Sequence, residues 1–310
     1  MSYSNNVKGE LSKTPLGSAE EMKSEIVALL RVNAILMIQG GHMRIQFSTE
    51  NNPVARRIFL LIKTLYNYDA KISAVKKNQL RRKTIYKVLI DSEDVFMKLM
   101  EDGGYEPSFI ISLTGEIPQK LINTNRKIRS YIRGCFLGAG SIANPEKMYH
   151  LEIVFDDESE AVRIKELMDS VDLFGKITKR KDQYIFYYKD SEMISDILSF
   201  MEAYQSVLKL EDIRAMKDLK NNINRVINCE TANIDKTVAA AMKQKKAILK
   251  IGIENLPDNL KEVALIRLHH PDASLKSIGE LMKPQQSRSG VNYKLKKIEK
   301  IAEELTKKSL

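Results

Sequence analysis

The chain has no tryptophan among its 310 residues, only 2 cysteines, and few prolines (8) or glycines (14). So little proline and glycine, with no period to them, excludes collagen-like and low-complexity classes. Cys135 and Cys229 stand in separate segments without a CxxC or Cys/His grouping, which argues against a disulfide framework or a zinc knuckle. Both are expected to be small buried residues in a reducing compartment. Long apolar runs are missing as well. The best candidate, residues 26–38, is broken by Arg31 and Asn33 and is too short to span a bilayer. The first thirty residues alternate charge and polarity without an apolar h-region, so no signal or transit peptide is legible. The expectation is a cytoplasmic chain without a membrane anchor.

What is present is globular: 43% hydrophobic and 29% charged residues, in a length suited to two or three domains. The net charge of +10 is unevenly spread. Residues 236–310 hold 16 Lys and Arg against 8 Asp and Glu, or +8, leaving 34 against 32, or +2, for residues 1–235. A basic surplus gathered in the last quarter attracts polyanions, most often nucleic acid.

An internal repeat organises the first two thirds. Residues 43–100 and 149–201 each run from an alternating strand through an Asp/Glu/Asn-rich helix start, an amphipathic helix and a charged hairpin to a short helix opened by Asp-Ser-Glu (residues 91–93 and 190–192). Alternation predicts strands over 85–90 and 184–188. Apolar spacing near 3.6 predicts helices through Ile58, Leu61, Ile62 and Leu65, and through Val162, Ile164, Leu167 and Met168. A further helical segment precedes each copy, at 19–38 and 125–138. The expected fold class is α+β, a duplicated αβαββα core followed by an all-α domain. In boundaries, this gives a core over 1–205 with repeats at about 19–100 and 125–201, a helical linker over 206–255 (one long helix or a pair), and a small helical domain over 256–310.

The lead-in to the second repeat reads YIRGCFLGAGSI over 131–142, with small residues where two helices cross closely, an approach glycine permits because it has no Cβ. It resembles the LAGLIDADG motif of homing endonucleases, and residues 26–36 form a weaker first copy. In active nucleases of that kind an acid at the foot of each helix holds the divalent metal that activates water. The matching positions here are Asn33 and Ala139, and no Asp or Glu occurs between residues 31 and 49 or between 131 and 145. Magnesium needs carboxylate oxygen. The resemblance therefore implies a nuclease scaffold without its catalytic acids and without a cofactor. The competing enzyme reading brings in Glu50 or Glu146 from elsewhere, and a third reading makes the core a protein- or ligand-binding module. The hairpins carry Lys76, Lys77, Arg81, Arg82, Lys83 and Lys176, Lys179, Arg180, Lys181. They suit phosphate contacts or, equally, charged sheet edges that discourage edge-to-edge pairing.

The last fifty residues carry the clearest signal. A helix over 260–268 with Leu260, Val263, Ala264 and Leu268 inward is followed by one over 275–282, N-capped by Ser274. Pro284 prevents its continuation. A third helix starts at Ser287 or Ser289. Its Val291, Leu295 and Ile298 share one face, while Ser289, Tyr293, Lys296 and Lys300 point away, Asn292 and Lys297 flank them, and Arg288 stands at the helix start. An apolar face with a donor-rich opposite face is what a recognition helix in a helix-turn-helix requires. Arg288 and Asn292 are types that read guanine and adenine edges, and the lysines suit phosphates.

A doubled LAGLIDADG-like core without its acids, joined to a C-terminal helix-turn-helix, resembles the WhiA family along nearly the whole chain. Residues 4–11 (SNNVKGEL), 224–238 (NRVINCETANIDKTV) and 287–292 (SRSGVN) are similar to family stretches, with Gly290 where alanine is usual. The resemblance implies a transcription regulator that binds double-stranded DNA at the nucleoid, tied to sporulation, cell division or chromosome segregation. Other transcription or cell-division proteins would be its further partners.

Overall fold

The computed structural model describes residues 2–39, 42–77, 83–105, 113 and 115–308. The chain divides into two units, Met1–Met216 and Lys217–Leu310.

The first unit begins with α1 (Tyr3–Leu11) and then uses one motif twice. The first copy is α2 (Ala19–Asn33), β1 (Ala34–Gln39), β2 (His42–Thr49), α3 (Asn52–Tyr66), β3 (Lys71–Lys77), β4 (Lys83–Ile90) and α4 (Glu93–Gly103). The second is α5 (Asn125–Ala139), β5 (Gly140–Ile142), β6 (Leu151–Phe155), α6 (Glu158–Asp169), β7 (Lys176–Arg180), β8 (Gln183–Tyr188) and α7 (Ser191–Phe200). Among the described residues the strands form two antiparallel sheets, ordered β1-β2-β4-β3 and β5-β6-β8-β7.

The α+β class and the duplication follow the sequence, but each copy is αββαββα, one strand richer than the αβαββα expected. The added strands, β1 and β5, follow their helices with no intervening turn. Ala34 leaves helical angles at φ −89°, ψ 150°, and Gly140 at φ −80°, ψ 152°. An apolar run such as 34–38 satisfies either period, and pairing with β2 decides for the strand. The helix expected over 19–38 therefore ends at Asn33.

Caps set the other helix starts. Asn51 accepts from Val54 N (3.3 Å) at α3, and Asp157 from Ser159 N (2.9 Å) and Glu160 N (3.3 Å) at α6. The two Asp-Ser-Glu triplets cap differently: Ser92 accepts from Val95 N, whereas Asp190 accepts from Glu192 N and Met193 N. Each such cap stabilises its helix by about 1 kcal/mol. Alternation delivers Ile45, Phe47, Val88 and Ile90 to the core from one sheet, and Leu151, Ile153, Phe155, Phe186 and Tyr188 from the other. On α6 the buried residues are Ala161, Ile164, Leu167 and Met168. Val162, expected inside, is 40% exposed because Ala161 takes the inward position one turn before Ile164.

Helices α2 and α5 cross at the centre. A Cβ at Gly134 would lie 2.5 Å from Glu25 O, and one at Gly138 2.5 Å from Val32 Cγ2, so both glycines permit the approach. Around the crossing Glu25 receives Arg57 and Arg133, all three buried; the Arg57 Nη2–Oε2 and Arg133 Nη2–Oε2 distances are 2.8 and 2.9 Å. Arg31 binds Glu160 at 2.7 Å, together with Tyr105 and the backbone of Gly115 and Glu116. Helix α1 closes the unit against the start of α8 (Tyr204–Ile251). Tyr3 Oη donates to Ser206 O (2.8 Å), and Glu10 accepts from Gln205 N (2.7 Å) and Ser206 N (3.0 Å).

The segment expected as one long helix or a pair within 206–255 is the single helix α8, which ends at Ile251. In the second unit its last turns pack with α9 (Asp258–His269), α10 (Leu275–Leu281) and α11 (Arg288–Lys308) around Ile248, Ile251, Leu256, Leu260, Val263, Ile278, Met282, Val291, Leu295 and Ile298. Leu268, expected inside α9, is only partly buried, and Arg267 is buried instead. Cys135 is buried as expected. Cys229 is exposed, because it lies midway along residues 218–240 of α8, every one of which is exposed. No helix among the described residues is long and apolar enough to cross a membrane.

Candidate nucleic-acid interface

The second unit builds its surface from the turn outward. Ser274 caps α10 by accepting from Ser277 N (3.1 Å). The following turn folds back so that Gln286 N donates to Gly279 O (3.0 Å), and Lys283 N donates to Glu262 on α9 (2.7 Å). A Cβ at Gly279 would overlap the Gln286 carbonyl oxygen, so the approach of turn to helix needs glycine there. In the sequence its only mark is that of an isolated glycine inside a helical pattern, the signal of such an approach. Ser287 then starts α11, its Oγ accepting from Gly290 N (3.2 Å) and its carbonyl from Val291 N (3.0 Å). Arg267 braces the other turn, donating to Ala273 O (2.7 Å) and Pro271 O (3.3 Å), and burial lowers the pKa of its guanidinium.

Val291, Leu295, Ile298 and Ala302 bury one face of α11. On the outer face Arg288, Ser289, Tyr293, Lys296, Lys297 and Lys300 are exposed, Tyr293 at 69%, and Asn292 is half-buried at the flank. No acid occurs from Arg288 to Ile298. The first one, Glu299, is held by Lys243 of α8 at 3.0 Å, so the outer face carries only positive charge from Arg288 to Lys300, and acids enter it at Glu303 and Glu304. A helix of this kind offers one arginine and one amide near its start and lysines beyond, over a rigid apolar base.

In the core, the positions that match the metal-binding acids of nucleases are Asn33 and Ala139. The Asn33 carboxamide is already used: Nδ2 donates to Ser48 O (2.9 Å) and Gly138 O (3.2 Å), and Oδ1 accepts from Ser48 N (3.1 Å). Ala139 has no donor atom. Lys8 Nζ reaches the foot of α5, donating to Leu137 O (3.0 Å). Its amine is enclosed although the residue as a whole is half-buried, and burial pulls its pKa down to about 8, against the raising pull of the Glu50 carboxylate. Glu50 is exposed on the turn before α3, and Glu146 is exposed and engaged with Asn144. No cluster of three or more His, Cys, Asp or Glu fit to hold a metal occurs among the described residues. The side chains at the helix feet do not fit a divalent cation. Of the hairpin cations, Arg81 and Arg82 lie outside the described residues, Arg180 pairs with Glu152 (3.4 Å) and Lys179 with the Tyr184 hydroxyl (3.1 Å), and Lys176 and Lys181 are exposed.

Residues 19–104 match the WhiA N-terminal LAGLIDADG-like domain, 128–220 the WhiA LAGLIDADG-like domain and 223–302 the WhiA C-terminal HTH domain. The chain is 42% identical over 311 residues to the probable cell division protein WhiA of Clostridium botulinum (strain Eklund 17B / Type B), covering 98% of this chain and 99% of that one. It is 43% identical to the protein of the same name from Clostridium beijerinckii, with 98% and 99% covered. The crystal structure of full-length WhiA from Thermatoga maritima superposes with a TM-score of 0.58 at 26% identity, covering 98% of this chain and 99% of that one. Three domain matches in the family's order and identity above 40% along the length establish that this chain belongs to the WhiA family.

Proposed function

We infer that the protein is a sequence-specific DNA-binding transcription regulator. The observation that carries this is the acid-free stretch 288–298 on the outer face of α11, set by Val291, Leu295 and Ile298 on a packed helix-turn-helix. Residues 256–310 form the DNA-binding domain in this reading, 206–255 the helical linker and 1–205 a core without nuclease activity. The relatives' name supports a role in cell division, and the family resemblance extends it to sporulation or chromosome segregation at the nucleoid. The core then serves other transcription or cell-division proteins or a ligand. Asn33 supports the non-enzymatic reading, because its amide holds two carbonyls that a carboxylate would repel.

The test is binding of the full chain to genomic duplex fragments across a salt series. Phosphate neutralisation predicts a log–log slope of about −0.9 per released ion, and reversing Lys296 and Lys297 to Glu should abolish binding while leaving the melting curve intact. Equal binding by the reversed variant would overturn the assignment to α11. In the same samples supercoiled plasmid with Mg²⁺ or Mn²⁺ stays intact, and nicking lost on mutating Glu50 or Glu146 would establish the nuclease instead.

A further inference from the structure

Every residue of α8 from 218 to 240 is exposed, yet the segment is not polar on all sides. Leu219 (55% exposed), Ile223, Ile227, Ile234 and Val238 fall, at 100° per residue, within a stripe about 100° wide. Glu230 breaks it at the centre, Lys220 and Thr237 stand at its margins, and Val226 and Met242 flank it. A stripe of this width on a long helix is the mark of a packed face, and nothing in the second unit covers it before Ala241.

From Leu219 the steps to residues 223, 227, 230, 234 and 238 are 4, 4, 3, 4 and 4, and they read the same from either end. We propose that residues 219–238 of α8 form an antiparallel two-helix interface with the same segment of a second copy of the chain. With the dyad between Asn228 and Cys229, Leu219 meets the partner's Val238, Ile223 the partner's Ile234, and Ile227 the partner's Glu230, each contact made twice. A parallel pair would instead set Glu230 against Glu230. The contact is isologous, as a closed two-fold requires. With the flanking Val226 and Met242, the seven apolar side chains expose on the order of 600 Å² per copy, the upper end of what a monomer shows and approaching the roughly 800 Å² per partner of a stable interface.

The full chain without nucleic acid is the material for the test, so the result is independent of the DNA-binding reading. Sedimentation equilibrium at roughly 50 µM should give a dimer; Ile223→Asp should weaken it by at least about thirty-fold, the effect of losing a central anchor of about 2 kcal/mol. Because Ile223 is exposed, the variant's melting curve should match the wild type in the monomer range. Orientation is read in a Cys229→Ser background under oxidant. Leu219→Cys chains mixed with Val238→Cys chains should cross-link, and Leu219→Cys chains alone should not. A monomer at that concentration, an unaffected Ile223→Asp, or self-linked Leu219→Cys would overturn the proposal.

Discussion

Arg288 and Asn292 sit one turn apart at the start of α11, whereas Lys296 and Lys297 lie a further turn along and are exposed. The two pairs should fail differently on DNA. Alanine at Arg288 or Asn292 should cost about 1–3 kcal/mol on a cognate site and little on random duplex, because a bidentate base contact carries that discrimination. Alanine at either lysine should weaken both alike and lower the salt slope by about one ion. Competition titrations on cognate and random fragments decide; equal losses for Arg288→Ala would move the base contacts to Tyr293 or the Gln285-Gln286 turn. Lys8 gives a second residue-level expectation. Its pKa is about 8 in the folded chain and about 10.4 when unfolded, so between these values the unfolded chain binds more protons and stability rises with pH. Below about pH 8 both states are protonated and the full cost of the buried ammonium remains. Denaturant titrations at pH 7, 8.5 and 10 should show wild type gaining on Lys8→Met across that window, and parallel profiles would refute it.

At the scale of elements, Gly279 and Gly290 of the second unit should respond in opposite senses. Gly279→Ala forces the turn away from α10 and should cost about 1–3 kcal/mol, as overpacking does. Gly290→Ala places its Cβ 3.1 Å from Gln286 Oε1, the end of a flexible side chain, and should gain up to about 1 kcal/mol of helix propensity. Thermal melts of the two variants shifting the same way would contradict this. These elements also show what the sequence could reveal. Helices α10 and α11 were legible almost to the residue, since Ser274, Pro284 and Ser287 punctuate them and a period of 3.6 marks the buried face of α11. The strands β1 and β5 were not, because Ala34 and Gly140 continue directly from a helix and only pairing with β2 and β6 tells strand from helix. Nor were Arg57, Arg133 and Arg267 legible as interior residues. Their burial depends on Glu25 and on carbonyls of Ser12, Thr14 and Ala273 that are distant in sequence or exposed only by a turn.

Among the described residues of the first unit, two buried ionic links tie one repeat to the other, Glu25 of α2 to Arg133 of α5 and Arg31 of α2 to Glu160 of α6, and a more exposed one joins Lys127 of α5 to Glu20 of α2. The repeats are therefore expected to unfold as one. Glu25→Gln leaves Arg57 and Arg133 without their shared carboxylate and should cost about 3–5 kcal/mol, moving a single denaturation transition rather than splitting it. Two separated transitions, by fluorescence and far-UV circular dichroism, would show the repeats to be independent. The bond from Tyr3 to Ser206 joins residues 203 positions apart. At about 5–20 residues per second of synthesis, helix α1 leaves the ribosome roughly 10–40 s before its far partner exists. Until then Tyr3 lacks the Ser206 carbonyl, whereas the rest of α1 can already pack on α3 and α5, so the seam between α1 and the start of α8 is the last part of the first unit to close.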